Sequence, residues 1–141
     1  MELHRGRLID HIGLVVRDFE ASRRFYEAVM KVLDVPVVRV TDDEFIYADE
    51  LCVSSADSPA AAGEVTGRHH LAFQAKDRAT VDAFYQAGLK SGGTDNGPPG
   101  ERTRYHPGYY AAFLLDPDGN NIEAVYHGPA EFSAASVKIT F

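Results

Sequence analysis

The stretch His69–Tyr85, HHLAFQAKDRATVDAFY, repeats the stretch Asp10–Tyr26, DHIGLVVRDFEASRRFY, at a constant offset of 59 residues. In this register His70 falls on His11, Asp77 on Asp18, Phe84 on Phe25 and Tyr85 on Tyr26. Leu71/Ile12, Ala72/Gly13, Phe73/Leu14 and Lys76/Arg17 agree in character. A repeat of this length is a supersecondary unit that cannot close a core alone, so the two copies are expected to pair about a pseudo-twofold axis. The two histidines then hold equivalent places.

Outward from the repeat, Leu8 to Val16 alternates around β-branched residues and reads as a strand. Asp18 is the N-cap of a helix with Phe25, Ala28, Val29 and Val32 on one face, stopped by Pro36. Val37 to Thr41 and Glu44 to Ala48 read as a hairpin turning at Asp42-Asp43, followed by a short strand at Leu51 to Ser54. Residues 56–67, rich in Ala, Gly, Ser and Pro, read as a linker. Arg68 to Ala75 is the matching strand, and Asp77 caps a helix with Val81, Phe84, Tyr85 and Leu89 inward, ending at Gly92-Gly93. The run from Thr94 to Gly108 is expected to be an ordered loop, because its Gly and Pro forbid a regular interior element. Tyr109 to Leu115, the turn Asp116-Pro117-Asp118-Gly119-Asn120 and Asn121 to Tyr126 form a hairpin. In the tail, Val137 to Phe141 is one more strand-like run, free to join a sheet edge of the same or another subunit. The organisation is one domain over residues 1–141: module one at about 8–55, linker 56–67, module two at about 68–127 and tail 128–141.

Composition narrows the function. The chain has 141 residues, 45% of them hydrophobic and 11% aromatic, enough for one ordinary core. A formal net charge of -7 without any Lys/Arg run lacks the footprint of a nucleic-acid or anionic-membrane binder. Small-molecule partners are expected instead. No apolar run approaches a bilayer span, and the start MELHRGRLID does not read as a signal peptide, so a cytoplasmic protein is expected. The single cysteine, Cys52, excludes an internal disulfide and reads as a small buried hydrophobe.

Alternation along the strands sorts the chemistry. His11 shares a face with Ile9, Gly13 and Val15, while Ile12, Leu14 and Val16 point the other way. In the second copy His70, Ala72 and Gln74 share a face opposite Leu71, Phe73 and Ala75. On the last strand Glu123 opposes Ile122, Ala124 and Tyr126. The apolar face takes the helices, so the other collects two histidines and a carboxylate beside small residues. Taken singly, each is more often a satisfied or solvated group. Together, two imidazoles and one carboxylate bind a divalent first-row metal while leaving coordination positions open, and an open metal is a Lewis acid. His69, of the opposite parity, is expected to be structural.

DHIGLVVRDFEASRRFYEAV, HHLAFQAKDRATVDAFY and DPDGNNIEAVYH together resemble the vicinal oxygen chelate superfamily, the glyoxalase, bleomycin-resistance and extradiol-dioxygenase group. The resemblance spans roughly residues 8 to 127. It implies an α+β fold of two tandem βαβββ modules forming a U-shaped mixed sheet around a metal cleft. By position it assigns the metal ligands to His11, His70 and Glu123, with Zn, Ni, Fe, Mn or Co as the divalent ion. It also implies a homodimer, in which relatives pair modules across subunits.

Subfamily patterns divide the possible reactions. Glyoxalase I and methylmalonyl-CoA epimerase use a fourth Glu or Gln ligand on the last strand of module one. Here Glu50 is the candidate, and an alignment shifted by two puts Cys52 there instead. Extradiol dioxygenases carry a tyrosine where this chain has Phe113, which cannot move a proton, although Tyr109 and Tyr110 lie nearby. Thiol transferases that inactivate fosfomycin add a cationic pocket, for which Arg102 and Arg104 are candidates. The expected function is a glyoxalase-like, metal-dependent lyase or isomerase. Its metal chelates vicinal oxygens of a small oxygen-rich substrate and stabilises an enediolate or similar oxyanion, with Glu123 or Glu50 as base. Arg102, Arg104, Tyr105 and Tyr110 are candidate substrate contacts, and His106 a further base set against the plain reading of a surface histidine. An iron-dependent extradiol dioxygenase and a drug-sequestering protein of the bleomycin-resistance type are the alternatives.

Overall fold

A computed structural model of the chain describes residues 2–5, 11–41, 45–58, 61, 63–130 and 137–140. Strand β1 spans Glu2–Arg5. Module one then runs β2 (Ile12–Val16), α1 (Phe19–Val32), β3 (Val38–Thr41), β4 (Phe45–Ala48) and β5 (Leu51–Ser55). Module two repeats it as β6 (His70–Gln74), α2 (Arg78–Lys90), β7 (Thr94–Glu101), β8 (Tyr110–Leu115) and β9 (Asn121–Tyr126), and β10 covers Val137–Thr140. Each module makes a four-stranded mixed sheet, in the order β2-β5-β4-β3 and β6-β9-β8-β7. The first pair in each is parallel and the rest antiparallel. The duplicated βαβββ plan of an α+β fold is therefore present. The start of the first strand, before His11, and the Asp42-Asp43 turn lie outside the described residues.

Both helices begin where the repeat puts their caps. Asp18 accepts from Ala21 N–H at 3.0 Å, and Asp77 accepts from both Thr80 N–H and Thr80 Oγ1 at 2.7 Å. The strand alternation is equally plain: Leu14 and Val16 are buried while His11 and Gly13 are exposed. In β6, His70, Ala72 and Gln74 are exposed, and Leu71 and Phe73 pack against the core.

The modules meet through their helices, α1 against α2, with Phe25, Tyr26, Val29, Val81 and Phe84 fully or almost fully buried between the sheets. Each such aromatic or aliphatic side chain contributes about 1.5–3 kcal/mol of transfer free energy. One repeat pair makes the close approach possible. Val29 corresponds to Gly88, and a Cβ on Gly88 would overlap Leu114 and press on Phe25 and Val29. A second tie is polar: Tyr26 of α1 donates to Asp116 Oδ2 of the β8–β9 turn at 2.6 Å. Asp116 also accepts from the backbone N–H groups of Asp118 and Asn120, which explains the Asp-Pro-Asp-Gly-Asn signature as a turn bolted to the other module. Desolvation first, and the Asp116 carboxylate second, push the Tyr26 hydroxyl well above its ordinary pKa.

One expectation needs amendment. Thr94–Glu101 is not loop but an edge strand, whose pairing with β8 shifts between Asp95 and Gly97 and between Gly97 and Gly100. An edge strand leaves one side unpaired, so Pro98 and Pro99 sit in it without breaking an interior ladder. The loop proper is Arg102–Tyr109, closed at its base by Arg102 N–H to Tyr109 O at 2.7 Å. The tail strand β10 pairs with β1 of the same chain rather than with either large sheet. The linker is not idle either, since Thr66 exchanges two hydrogen bonds with Val15 along the outer edge of β2.

Candidate metal centre

His70 opens β6 and Glu123 lies on the adjacent parallel strand β9, two residue pairs further along. Their side chains converge: His70 Nε2 stands 3.0 Å from Glu123 Oε2. The imidazole is 46% exposed and the carboxylate only 3%. His70 Nδ1 lies 3.0 Å from the carbonyl of Asn121. A carbonyl only accepts, so Nδ1 carries the hydrogen and Nε2 of the neutral ring is a bare lone pair. Two acceptors facing each other at this distance repel unless a cation lies between them, either a proton shared as an ion pair or a metal. The backbone-anchored imidazole with Nε2 presented is also the usual arrangement of a metal-ligating histidine. This donor pair therefore fits the divalent metal that the resemblance implies.

Among the described residues no group of three His, Cys, Asp or Glu side chains converges within the chain. His11 and His70 lie exposed on strand faces opposite the core-facing Leu14, Val16, Leu71 and Phe73, and among the described residues His11 does not join His70 and Glu123 in a group of three.

The strand register also places Glu50 and Cys52. Gly13 pairs with Cys52 in module one as Ala72 pairs with Glu123 in module two. Cys52, buried and in no disulfide, thus occupies the position equivalent to Glu123. Glu50, whose carbonyl accepts from Ile12 N–H at 2.6 Å, occupies the position equivalent to Asn121.

Of the loop candidates, Arg102 comes nearest. Its guanidinium lies 5.6 Å from the ring centre of Phe113, and that ring stands 6.3 Å from His70. Phe113 is directly opposite Glu123 in the β8–β9 ladder. Arg104 instead covers Tyr105 and bonds its hydroxyl at 3.0 Å, out in solvent. Tyr110 faces the other way, donating to Asp82 of α2 at 2.7 Å beneath the Arg78 guanidinium. Tyr109, of opposite parity, is the tyrosine that reaches the site: its hydroxyl donates to Glu123 Oε1 at 2.5 Å. Burial first, then Glu123, hold that hydroxyl well above its ordinary pKa, so it is a neutral donor at neutral pH. His106 contacts Tyr109 rather than the ligand pair. His69 is fixed by Asn120 and Gly67, in keeping with a structural place. At the C-terminal ends of β6 and β9 a cavity of about 390 Å³ is bounded by Gln74, Lys76, Val125 and His127.

The sequence profile of the Glyoxalase/Bleomycin resistance protein/Dioxygenase superfamily matches residues 8–124. The chain belongs to this superfamily. A glyoxalase/bleomycin resistance protein from Albidiferax ferrireducens T118 shares 30% identity, with a TM-score of 0.66 over 84% of this chain and 98% of that one. A lactoylglutathione lyase from Agrobacterium tumefaciens is 19% identical, TM-score 0.59, over 85% and 93% of the two chains. A fosfomycin resistance protein from Mesorhizobium loti is 23% identical, TM-score 0.55, over 83% and 89%. These last two likenesses concern the fold. No curated protein matches the sequence. Among the described residues no helix is long and apolar enough to cross a membrane.

Proposed function

We propose that this superfamily member is a glyoxalase-like, metal-dependent lyase or isomerase acting on a small oxygen-rich substrate, and that its site is shared between two copies of the chain. The observation that carries the reading is the pair His70 Nε2 and Glu123 Oε2, two lone-pair donors aimed at one point with the imidazole tautomer fixed by Asn121. His11 of a second copy is the third ligand, because both ligand-bearing faces look away from the intrachain helix interface. Pairing module one of one copy with module two of the other builds the U-shaped cleft and gives a homodimer with two equivalent sites.

A bound divalent metal would supply Lewis acidity toward vicinal substrate oxygens and toward the charge that develops on them. The chain's own groups do the rest. His70 and Glu123 would hold the ion, and Glu123, nearly excluded from water, is the candidate carboxylate to take a proton from an adjacent carbon. Arg102, reaching over Phe113, meets an anionic group of the substrate at the edge of the face. Phe113 closes the floor without offering a proton, which favours proton-transfer chemistry over the extradiol reading.

The test uses His11→Ala and Glu123→Gln. Each homodimer lacks a ligand in both sites, whereas a mixed dimer regains one intact site. Co-expressed chains are expected to bind about a quarter of the wild-type metal, with each variant alone binding little. Metal content after chelator-free purification reads this out. Wild-type protein without metal or metal-dependent thermal stabilisation sinks the metal reading. Mixed chains binding no more than the separate variants sink the shared site.

A further inference from the structure

The aromatic cluster beside Glu123 has no part in the chemistry above, yet its bonds run in one direction. Glu123 divides its oxygens: Oε1 accepts from Tyr109, and Oε2 faces His70 Nε2. Tyr109 thereby decides which oxygen turns toward the imidazole. Its own ring is enclosed on three sides. His106 and His127 stand edge-on at 5.3 Å and 5.2 Å, and Tyr105 leans on it at 4.8 Å.

The two histidines are bonded to each other, His106 Nε2 to His127 Nδ1 at 2.9 Å. Which ring donates follows from the next contact. His106 Nδ1 lies 2.8 Å from the carbonyl of Pro107, so it carries the hydrogen. Nε2 of the neutral ring is then the acceptor, and His127 donates. The ring centroids are 5.2 Å apart with planes inclined by 17°. That separation exceeds the N···N distance by about two ring radii, so both nitrogens lie between nearly coplanar rings, as a linear hydrogen bond requires. His127 directly follows β9, the strand of Glu123, while His106 sits in the Arg102–Tyr109 loop. The bond fastens loop to strand on either side of Tyr109.

We infer that Tyr109 is a positioning residue of the metal centre and that the His106–His127 bond is the latch holding its ring. This rests on the metal reading proposed above. A carboxylate held at one oxygen offers the other in a fixed direction, and its rotation is already restricted before the ion arrives. Outer hydrogen bonds of this kind typically govern metal affinity by about 10–100-fold.

The experiment measures zinc and nickel affinity by competition with a chromophoric chelator for the full chain, Tyr109→Phe, His127→Ala and the double variant. Unfolding of each metal-free protein is followed in parallel. Tyr109→Phe is expected to weaken metal binding by about 10–100-fold while still unfolding cooperatively. His127→Ala is expected to weaken it less, and the double variant no more than Tyr109→Phe alone, since His127 acts through Tyr109. His127 is exposed, so its variant tests the latch even if Tyr109→Phe folds poorly. Wild-type affinity in Tyr109→Phe overturns the positioning role, and fully additive losses overturn the latch. A wild-type chain that binds neither ion overturns this inference together with the reading beneath it.

Discussion

Where module two sets Glu123 against Ala72, module one sets Cys52 against Gly13. Both modules keep the histidine, the strand order and the capped helix, and they part company at the second donor. Module two gathers His70, Glu123 and Tyr109 into a bonded group, whereas module one offers His11 from an open face. The duplication thus preserved the scaffold on both sides, and the carboxylate and its tyrosine belong to one side only. Among the described residues no third His, Cys, Asp or Glu joins His70 and Glu123, and in the reading proposed above a second copy supplies that donor.

The largest expected effect tests that division. His70→Ala removes the imidazole from the gathered pair and, in the reading proposed above, is expected to lower metal affinity by more than the roughly 100-fold upper range of an outer hydrogen bond. His11→Ala is expected to do the same only in the dimer. Chelator competition at protein concentrations above and below dimer dissociation measures both. A His11→Ala protein that binds metal like wild type would reduce module one to scaffold.

A second, intermediate effect concerns the tie between modules. Tyr26 bonds Asp116 across the interface, while its repeat partner Tyr85 is raised in pKa by desolvation and then by Asp95 within its own module. Tyr26→Phe leaves a buried carboxylate short of a donor and is expected to cost about 1–3 kcal/mol, read by denaturant unfolding. The pH dependence has a definite sign. The folded Tyr26 pKa lies above the ordinary 10.0, so its stabilisation is full below pH 10 and is lost as pH rises through the folded value. Wild-type stability should therefore fall more steeply above pH 10 than that of Tyr26→Phe.

The smallest effect separates the caps. Asp77 accepts from Thr80 N–H and Oγ1, which hold its pKa below the ordinary 3.8, while Asp18 has Ala21 at the place of Thr80. The Asp77 contribution is present above pH 3.8 and fades as pH falls through the lower folded value. Thr80→Ala should move the Asp77 midpoint upward in a carboxylate NMR titration, making the second cap resemble the first. An unchanged midpoint would remove the hydroxyl from the account.

Much of this was legible without coordinates. Periodicity located both helices, their caps and the strand faces that carry His11 and His70, because side-chain direction in a strand or helix depends only on local backbone geometry. The resemblance correctly pointed to the superfamily and its βαβββ modules. Thr94–Glu101 was less legible, since Pro and Gly exclude a strand only where both edges must pair. Tyr109 shared the parity of Phe113 and could be placed on the Glu123 face only once the β8–β9 register was known. The same register separates Cys52 from Glu50 at the position matching Glu123.

The sequence by itself determined a duplicated module, its alternating faces and the two histidines that occupy matching places, all consequences of short-range stereochemistry. Tertiary structure decided which donors meet. Bonding of Glu123 to Tyr109 and its approach to His70 depend on ladder register across distant residues, and the close packing of the two modules depends on Phe25, Val29 and Gly88 at the helix interface. Such contacts arise from how surfaces fit, which no periodicity within one strand encodes.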